Sequence, residues 1–247
     1  MAKTYRVIQQ WDHWLTQYLG QYVLQTEQRF LSRSLAVYRG KHALLIGVPR
    51  QNILLKPCIM TNHFALSPLA DRLNRIRFIE SKFNELPIAT DSIDLVLIAH
   101  ALEVCENPEK LLSEACRIVK PEGHIIILGF NPFSLWGLVK WLTKSDNIPW
   151  SLKFLKPSTI IQWLESSHFE LQFKNGILFQ PPLKNPIDYN KFRLFEWIGQ
   201  KLFSPFGGIY VLAAKSKVIP LTPIKLKWKQ KIPVVNVSIP RPTMRGS

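Results

Sequence analysis

LPIATDSIDLVLIAHALEVCENPEKLLSEACRIVKPEGHIIILGFNP, residues 86–132, is the stretch on which the reading of this chain turns. Within it, IDLVLIA (93–99) is apolar at every position but Asp94 and rich in branched residues, the pattern of a strand covered on both faces. Pro108 opens a helix, PEKLLSEACRIV, whose Leu111, Leu112, Ala115, Ile118 and Val119 fall on one side. Pro121-Glu122-Gly123 ends that helix, and HIIILGF (124–130) supplies the next buried strand. Strand, helix and strand in this rhythm predict a mostly parallel sheet with helices packed on it. A ligand in such a sheet sits at the carboxyl ends of the strands.

The same rhythm extends outward. Upstream, ALLIG (43–47), HFALS (63–67) and Arg75–Ile79 read as further strands. Downstream, NPFSLWGLVKWL predicts a loop and short helix beside the cleft, 156–169 a helix, Glu170–Leu178 a strand, and FGGIYVLAAK (206–215) the last strand. Before the sheet, Val7/Ile8, Trp11, Trp14/Leu15, Tyr18/Leu19 and Tyr22/Val23 recur at helical spacing, and the apolar pattern runs on to Tyr38 before Gly40. That stripe is either a face docked on the core or a lid over the cleft. Beyond Val218, prolines 220, 223, 233, 240 and 242 preclude a continuous helix. The expected organisation is a helical cap at 1–40, an α/β domain at 41–217 and a basic, Pro-containing tail at 218–247.

Composition narrows the function classes. With 247 residues and 47% hydrophobic content, the chain has material for one full α/β domain plus extensions. No apolar run is long enough to span a bilayer, and the first residues lack the apolar core of a signal peptide, so a cytoplasmic location is expected. Cys58, Cys105 and Cys116 are scattered, with no CxxC pair, which predicts reduced thiols and no metal site. The net charge is +15. From Ser216 to Ser247 the bases are Lys217, Lys225, Lys227, Lys229, Lys231, Arg241 and Arg245, with no acid among them. An anionic partner for the tail, whether nucleic acid, membrane or acidic protein, is compatible with this, as is a solvated tail.

Residues 86–132 resemble the centre of the type-11 group of class I S-adenosylmethionine-dependent methyltransferases. The resemblance rests on Leu86-Pro87, Asp91-Ser92, Asp94-Leu95-Val96, His100, Leu102-Glu103, Pro108, Arg117, Lys120-Pro121 and Gly123, in order and at matching spacing. FNPFSLWGL (130–138), FGGIYVLAAK, IPLTP (219–223) and the GQYVL segment with Glu27 are similar to a little-characterised bacterial branch of that superfamily. The resemblance implies a Rossmann-like sheet, mostly parallel with its last strand antiparallel, helices on both faces and an N-terminal helical extension. It implies S-adenosylmethionine as cofactor and in-line methyl transfer to an acceptor that is a small molecule or a macromolecule.

Carried over position by position, the resemblance places cofactor contacts at Ile46, Gly47 and Val48 after the first strand. Further contacts fall at Ala65 in the second, Lys82, Phe83 and Asn84 after the third, and Ala99 at the end of the fourth. Gly47 matches the first glycine of a GxGxG turn, whereas Pro49 and Gln51 occupy the other two positions, and Pro49 offers no backbone donor. Ala65 and Lys82 stand where acids usually hold ribose and adenine. Two missing charge-assisted hydrogen bonds, at about 1.5–3 kcal/mol each, weaken binding unless other groups replace them. The helix that usually follows the glycine turn is expected to be short or lost.

His100, close to where the reacting methyl would lie, is the candidate catalytic residue: it either orients substrate or accepts a proton, or it holds the turn. Asn131 and Trp136 are candidate substrate contacts, with turn formation and core packing as their alternatives. The leading reading is a methyltransferase of unknown acceptor. A non-catalytic methyltransferase-like scaffold, or a basic protein that binds nucleic acid or another anionic partner, is the alternative.

Overall fold

The apolar runs become strands of one sheet. In the computed structural model these are β1 (His42–Ile46), β2 (Asn62–Ser67), β3 (Arg77–Glu80), β4 (Ile93–Ala99), β5 (Val119–Phe130), β6 (Phe169–Ile177) and β7 (Ile209–Ser216). The structure describes residues 2–70, 77–143, 145–182 and 206–217. The seven strands lie in the order β3-β2-β1-β4-β5-β7-β6. Strands β1 to β5 pair in parallel, and β7 runs antiparallel to both β5 and β6. The mostly parallel sheet with an antiparallel last strand matches the expectation. Leu95–Ala99 and Ile125–Phe130 are buried throughout, as strands covered on both faces must be.

Helices cover the sheet: α1 (Ala2–Trp14), α2 (Tyr18–Ser34), α3 (Ala101–Val104), α4 (Pro108–Ile118), α5 (Leu135–Thr143) and α6 (Pro157–Ser166). The N-terminal stripe is two helices joined at Leu15–Gln17, followed by a 3₁₀ turn at Leu35–Val37. Trp11, Leu15, Leu31 and Leu35 from this cap are fully buried against the domain. As anticipated, no regular α-helix follows β1: Pro49–Leu55 is 3₁₀. No described helix is long and apolar enough to cross a membrane.

Two boundaries differ from the sequence reading. Strand β5 starts at Val119, so Pro121-Glu122-Gly123 lies inside it. The pairing with β4 shifts register between Ile93↔Val119 and Leu95↔His124, and Glu122 takes a positive φ of 66°. A bulge thus absorbs the residues that read as a turn. Of the expected third strand, Arg75 and Ile76 lie outside the described residues, as does the tail from Val218, and β3 continues to Glu80.

Asp94 ties the amino-terminal edge of this sheet together. Its Oδ2 accepts from the backbone N–H of His42 at 2.9 Å and of Lys41 at 3.1 Å, while Lys120 Nζ reaches both oxygens at 2.9 and 3.0 Å. Partial burial works against the charge, but the Lys120 ammonium and the two N–H donors outweigh it and hold the carboxyl below its ordinary value. One carboxylate therefore joins β1, β4 and β5. Replacing it, as Asp94→Asn, is expected to cost about 1–2 kcal/mol in urea unfolding at pH 7. Because the folded value is depressed, that advantage is present above the unfolded carboxyl range. It disappears as pH falls through the lower folded value. An unchanged gap between wild type and variant at pH 7 and at acidic pH would refute the assignment.

Candidate active site

The strand order reverses between β1 and β4, so the crevice of this fold lies beyond their carboxyl ends. Gly47 follows β1 there. A Cβ at this position would stand 2.5 Å from Gln51 Oε1 and 3.3 Å from the Ala99 carbonyl oxygen, so a side chain fits only if Gln51 moves. Gln51 is fully buried, and its Oε1 accepts from the Val48 N–H at 3.0 Å. The 3₁₀ turn thus folds back on itself and satisfies the backbone donor of a glycine-rich turn from within. Ile46 and Val48 are buried walls of this turn.

His100 follows β4 in the left-handed conformation, with φ 53°. Its ring is fully buried between two carboxylates: Nδ1 is 2.5 Å from Glu103 Oε2, and Nε2 is 2.6 Å from Glu27 Oε1. Carboxylates only accept, so both ring nitrogens donate and the ring is an imidazolium. Burial alone would lower the His100 pKa; the charges of Glu103 and Glu27 overcome it and raise the value to about 10. Burial pushes the Glu103 carboxyl up, against the pull of His100 and of the Phe130 N–H, which donates to its Oε1 at 2.5 Å. Trp11 lies tilted 5.1 Å from the His100 ring, and Phe130 lies at 4.6 Å. The cap therefore supplies both a carboxylate, from α2, and an aromatic cover, from α1. Glu27 Oε2, Trp11 Nε1 and Tyr210 Oη are also buried, without a hydrogen-bond partner among the described residues.

Two cavities flank α1. One, of about 500 Å³, lies beyond β2 and β3 and is lined by Ile8, Pro68, Lys82, Phe83, Asn84 and Glu106, among others. Its walls are mostly apolar, and Glu106, which accepts from the Thr4 hydroxyl, brings a carboxylate to it. That hydrogen bond holds the Glu106 carboxyl below its ordinary value. The other, of about 910 Å³, includes His13, Trp14, Tyr18, Val139, Thr143 and Trp150. Arg6 and Gln9 border both.

The structure brings the sequence-derived residues together unevenly. Gly47 and Ala99 meet at the crevice, while Lys82, Phe83 and Asn84 line the smaller cavity. Ala65 is buried inside β2, between Leu45 and Phe78, and carries no acceptor. Asn131 is engaged within the fold: its Nδ2 donates to the Gly207 carbonyl at 3.1 Å, and its Oδ1 accepts from the Phe133 N–H at 3.0 Å. Trp136 is fully buried, stacks on Phe130 and donates to the Gln180 carbonyl at 2.9 Å. Sequence reading did not single out Glu106, Pro68 or Ile8. The one available signal was position: Glu106 immediately precedes the Asn107 cap and Pro108 start of a helix that follows a cleft strand.

Residues 60–127 match the family model described as a methyltransferase domain. The chain is 25% identical over 207 residues to the Escherichia coli protein YafS, covering 81% of this chain and 78% of that one. It is 28% identical over 145 residues to a ubiquinone biosynthesis O-methyltransferase of Rickettsia typhi, covering 53% and 56%. Among solved structures, a possible histamine N-methyltransferase of Thermotoga maritima superposes with a TM-score of 0.63 at 16% identity, over 86% of this chain and 97% of that one. The geranyl diphosphate C-methyltransferase of Streptomyces coelicolor, solved with S-adenosyl-L-homocysteine, gives 0.53 at 13% identity, over 78% and 79%. The fold is that of the S-adenosylmethionine-dependent methyltransferases.

The histidine clamp makes a signed prediction. The His100 pKa is raised on folding, so the clamp's contribution is complete below the unfolded value near 6.5 and vanishes as pH rises through about 10. Glu27→Ala, which leaves a buried group without its partner, is expected to cost about 3–5 kcal/mol at pH 7. Nitrogen-15 NMR of the wild type at pH 8 should show both His100 ring nitrogens protonated. A neutral ring at that pH would contradict the clamp.

Proposed function

We propose that this chain is a class I S-adenosylmethionine-dependent methyltransferase of the type-11 kind and that it uses the cavity of about 500 Å³ beyond β2 and β3 for the adenosine part of its cofactor. That cavity is the observation that carries the reading. It lies where this sheet topology places ligands, and its size is within the range of small-molecule sites. Ile8, Pro68 and Phe83 offer apolar surface to a purine, and Asn84 and Glu106 offer polar groups to its amine or to ribose hydroxyls. Glu106 thereby takes over from the acid that Ala65 does not provide. Beside β1 the space next to Gly47 and Ala99 is filled by the Gln51 carboxamide, which the rest of the molecule has to displace.

The cofactor, when bound, supplies a methyl group already activated on a sulfonium. What the protein contributes is position and environment. Glu27, Glu103 and the His100 imidazolium form a buried group of two carboxylates and one cation, an environment suited to a neighbouring positive charge. His100 keeps its proton through neutral pH, so it acts as a positioning residue and not as the base for an acceptor. Trp11 and Phe130 keep water from it.

The acceptor occupies the larger cleft. Trp14, Tyr18 and Trp150 there suit an aromatic or apolar molecule. The R. typhi relative acts in ubiquinone biosynthesis and the S. coelicolor enzyme methylates geranyl diphosphate, which supports the same class of acceptor.

Calorimetric titration with S-adenosylmethionine and S-adenosylhomocysteine tests this reading. Micromolar binding is expected for the wild type. Phe83→Ala and Glu106→Gln should each weaken it about tenfold, the loss of one stacking surface or one charged hydrogen bond. No binding by the wild type, with binding gained on Ala65→Asp, would mean that the fold persists here as a scaffold without the cofactor.

A further inference from the structure

Helix α5 and the turn before it present an unusual surface. LWGLVKWLT contains a single charge, Lys140. That ammonium points inward, within 2.5 Å of the Trp150 and Leu152 carbonyl oxygens and 4.7 Å from the centre of the Phe154 ring. Trp136 and Gly137 fill the buried face. Leu135, Leu138, Trp141 and Leu142 are left pointing outward, and Trp141 is 71% exposed. Phe133 and Phe206 continue the same patch: with Leu135, Leu138 and Trp141 they line one shallow depression. An ordinary surface helix turns its polar residues to water; this one turns its only charge away. Contiguous exposed apolar surface of this kind marks an interaction site.

The charge around the patch identifies what covers it. Around α5 the sequence is basic, with Lys144, Lys153 and Lys156 against one acid, Asp146. The Lys140 ammonium is turned inward and that of Lys153 donates to the Glu106 carbonyl, which leaves Lys156 as the cation shown at the patch. Lys156 Nζ stands 5.9 Å from the centre of the exposed Phe133 ring, at the rim of the patch. The whole chain carries a net charge of +15, with seven cations and no acid from Ser216 to Ser247. A second copy would bring an equal positive charge against this face. An anionic bilayer instead offers apolar chains to the leucines, an interfacial layer to Trp141 and Phe133, and phosphates to Lys156 at the rim.

We infer that the outward face of α5, with Phe133 and Phe206, docks this protein on the surface of an anionic lipid bilayer. It lies on the membrane without spanning it. Val139 and Thr143 of the same helix border the larger cleft, so docking brings the mouth of that cleft to the lipid surface.

The test is sedimentation of the full chain with vesicles of phosphatidylcholine alone or mixed with phosphatidylglycerol. The wild type should sediment with the mixed vesicles and much less with the neutral ones. Leu138→Glu/Trp141→Glu, at exposed positions, should keep the wild-type melting temperature and lose about tenfold or more in vesicle partitioning. Three results would each overturn the inference. The wild type stays in solution with anionic vesicles; the double variant sediments as well as the wild type, leaving the basic charge alone as the cause; or the wild type is a dimer that the variant splits, showing a second copy on this face. None of these readouts depends on cofactor binding or methyl transfer.

Discussion

A protonated histidine held between two carboxylates, all three groups removed from water, is the interaction on which the arrangement of this molecule depends. Each partner comes from a different part of the chain: Glu27 from the cap, His100 from the turn after β4, Glu103 from the short helix beyond it. An isolated charge in such a place would be prohibitively costly; the opposite charges and short hydrogen bonds on either side of the ring offset that cost, although Glu27 Oε2 has no hydrogen-bond partner among the described residues. The clamp therefore dictates where α2 lies. With α2 fixed, α1 follows, and its Trp11 closes over the ring. With α1 in this place, one cavity lies on either side of it.

The sheet was legible because its information is local and redundant. Leu95–Ala99 and Ile125–Phe130 are apolar without interruption, and runs so short and so apolar suit a strand buried on both faces. The boundary error at Pro121-Glu122-Gly123 has an equally physical origin. Those residues favour a turn in isolation, but parallel pairing on one side and β7 on the other stabilise a bulged strand in their place. The single N-terminal stripe hid a break at Leu15–Gln17, because apolar spacing continued across it. The short 3₁₀ segment after β1 could be foreseen from Pro49 and from the brevity of the link to β2.

The site was legible only in part. Gly47, Ala99 and the Lys82–Asn84 segment follow directly from strand ends, and strand ends are what a sequence reveals best. The clamp could not be read, since Glu27 and His100 are 73 positions apart and no periodicity relates them. Asn131 follows the end of β5 and Trp136 lies on the buried face of α5, and their polar atoms bond to Gly207, Phe133 and Gln180. Residues of one type at one strand end serve either the ligand or the fold, and only the partners tell which. Glu106 was overlooked because what sets it apart is its hydrogen bond from Thr4 of α1, a relation between distant segments.

The turn after β1 has a consequence of its own. Gln51 already accepts the Val48 N–H, and its amide oxygen occupies the space on which a Cβ of residue 47 would impinge. A ligand oxygen that takes this donor must exchange with the carboxamide and cannot simply add to it. Gln51 is thus an internal competitor, present at fixed effective concentration whatever the solution contains. Binding at this turn becomes a substitution reaction, and selectivity goes to ligands whose other contacts repay the displaced side chain.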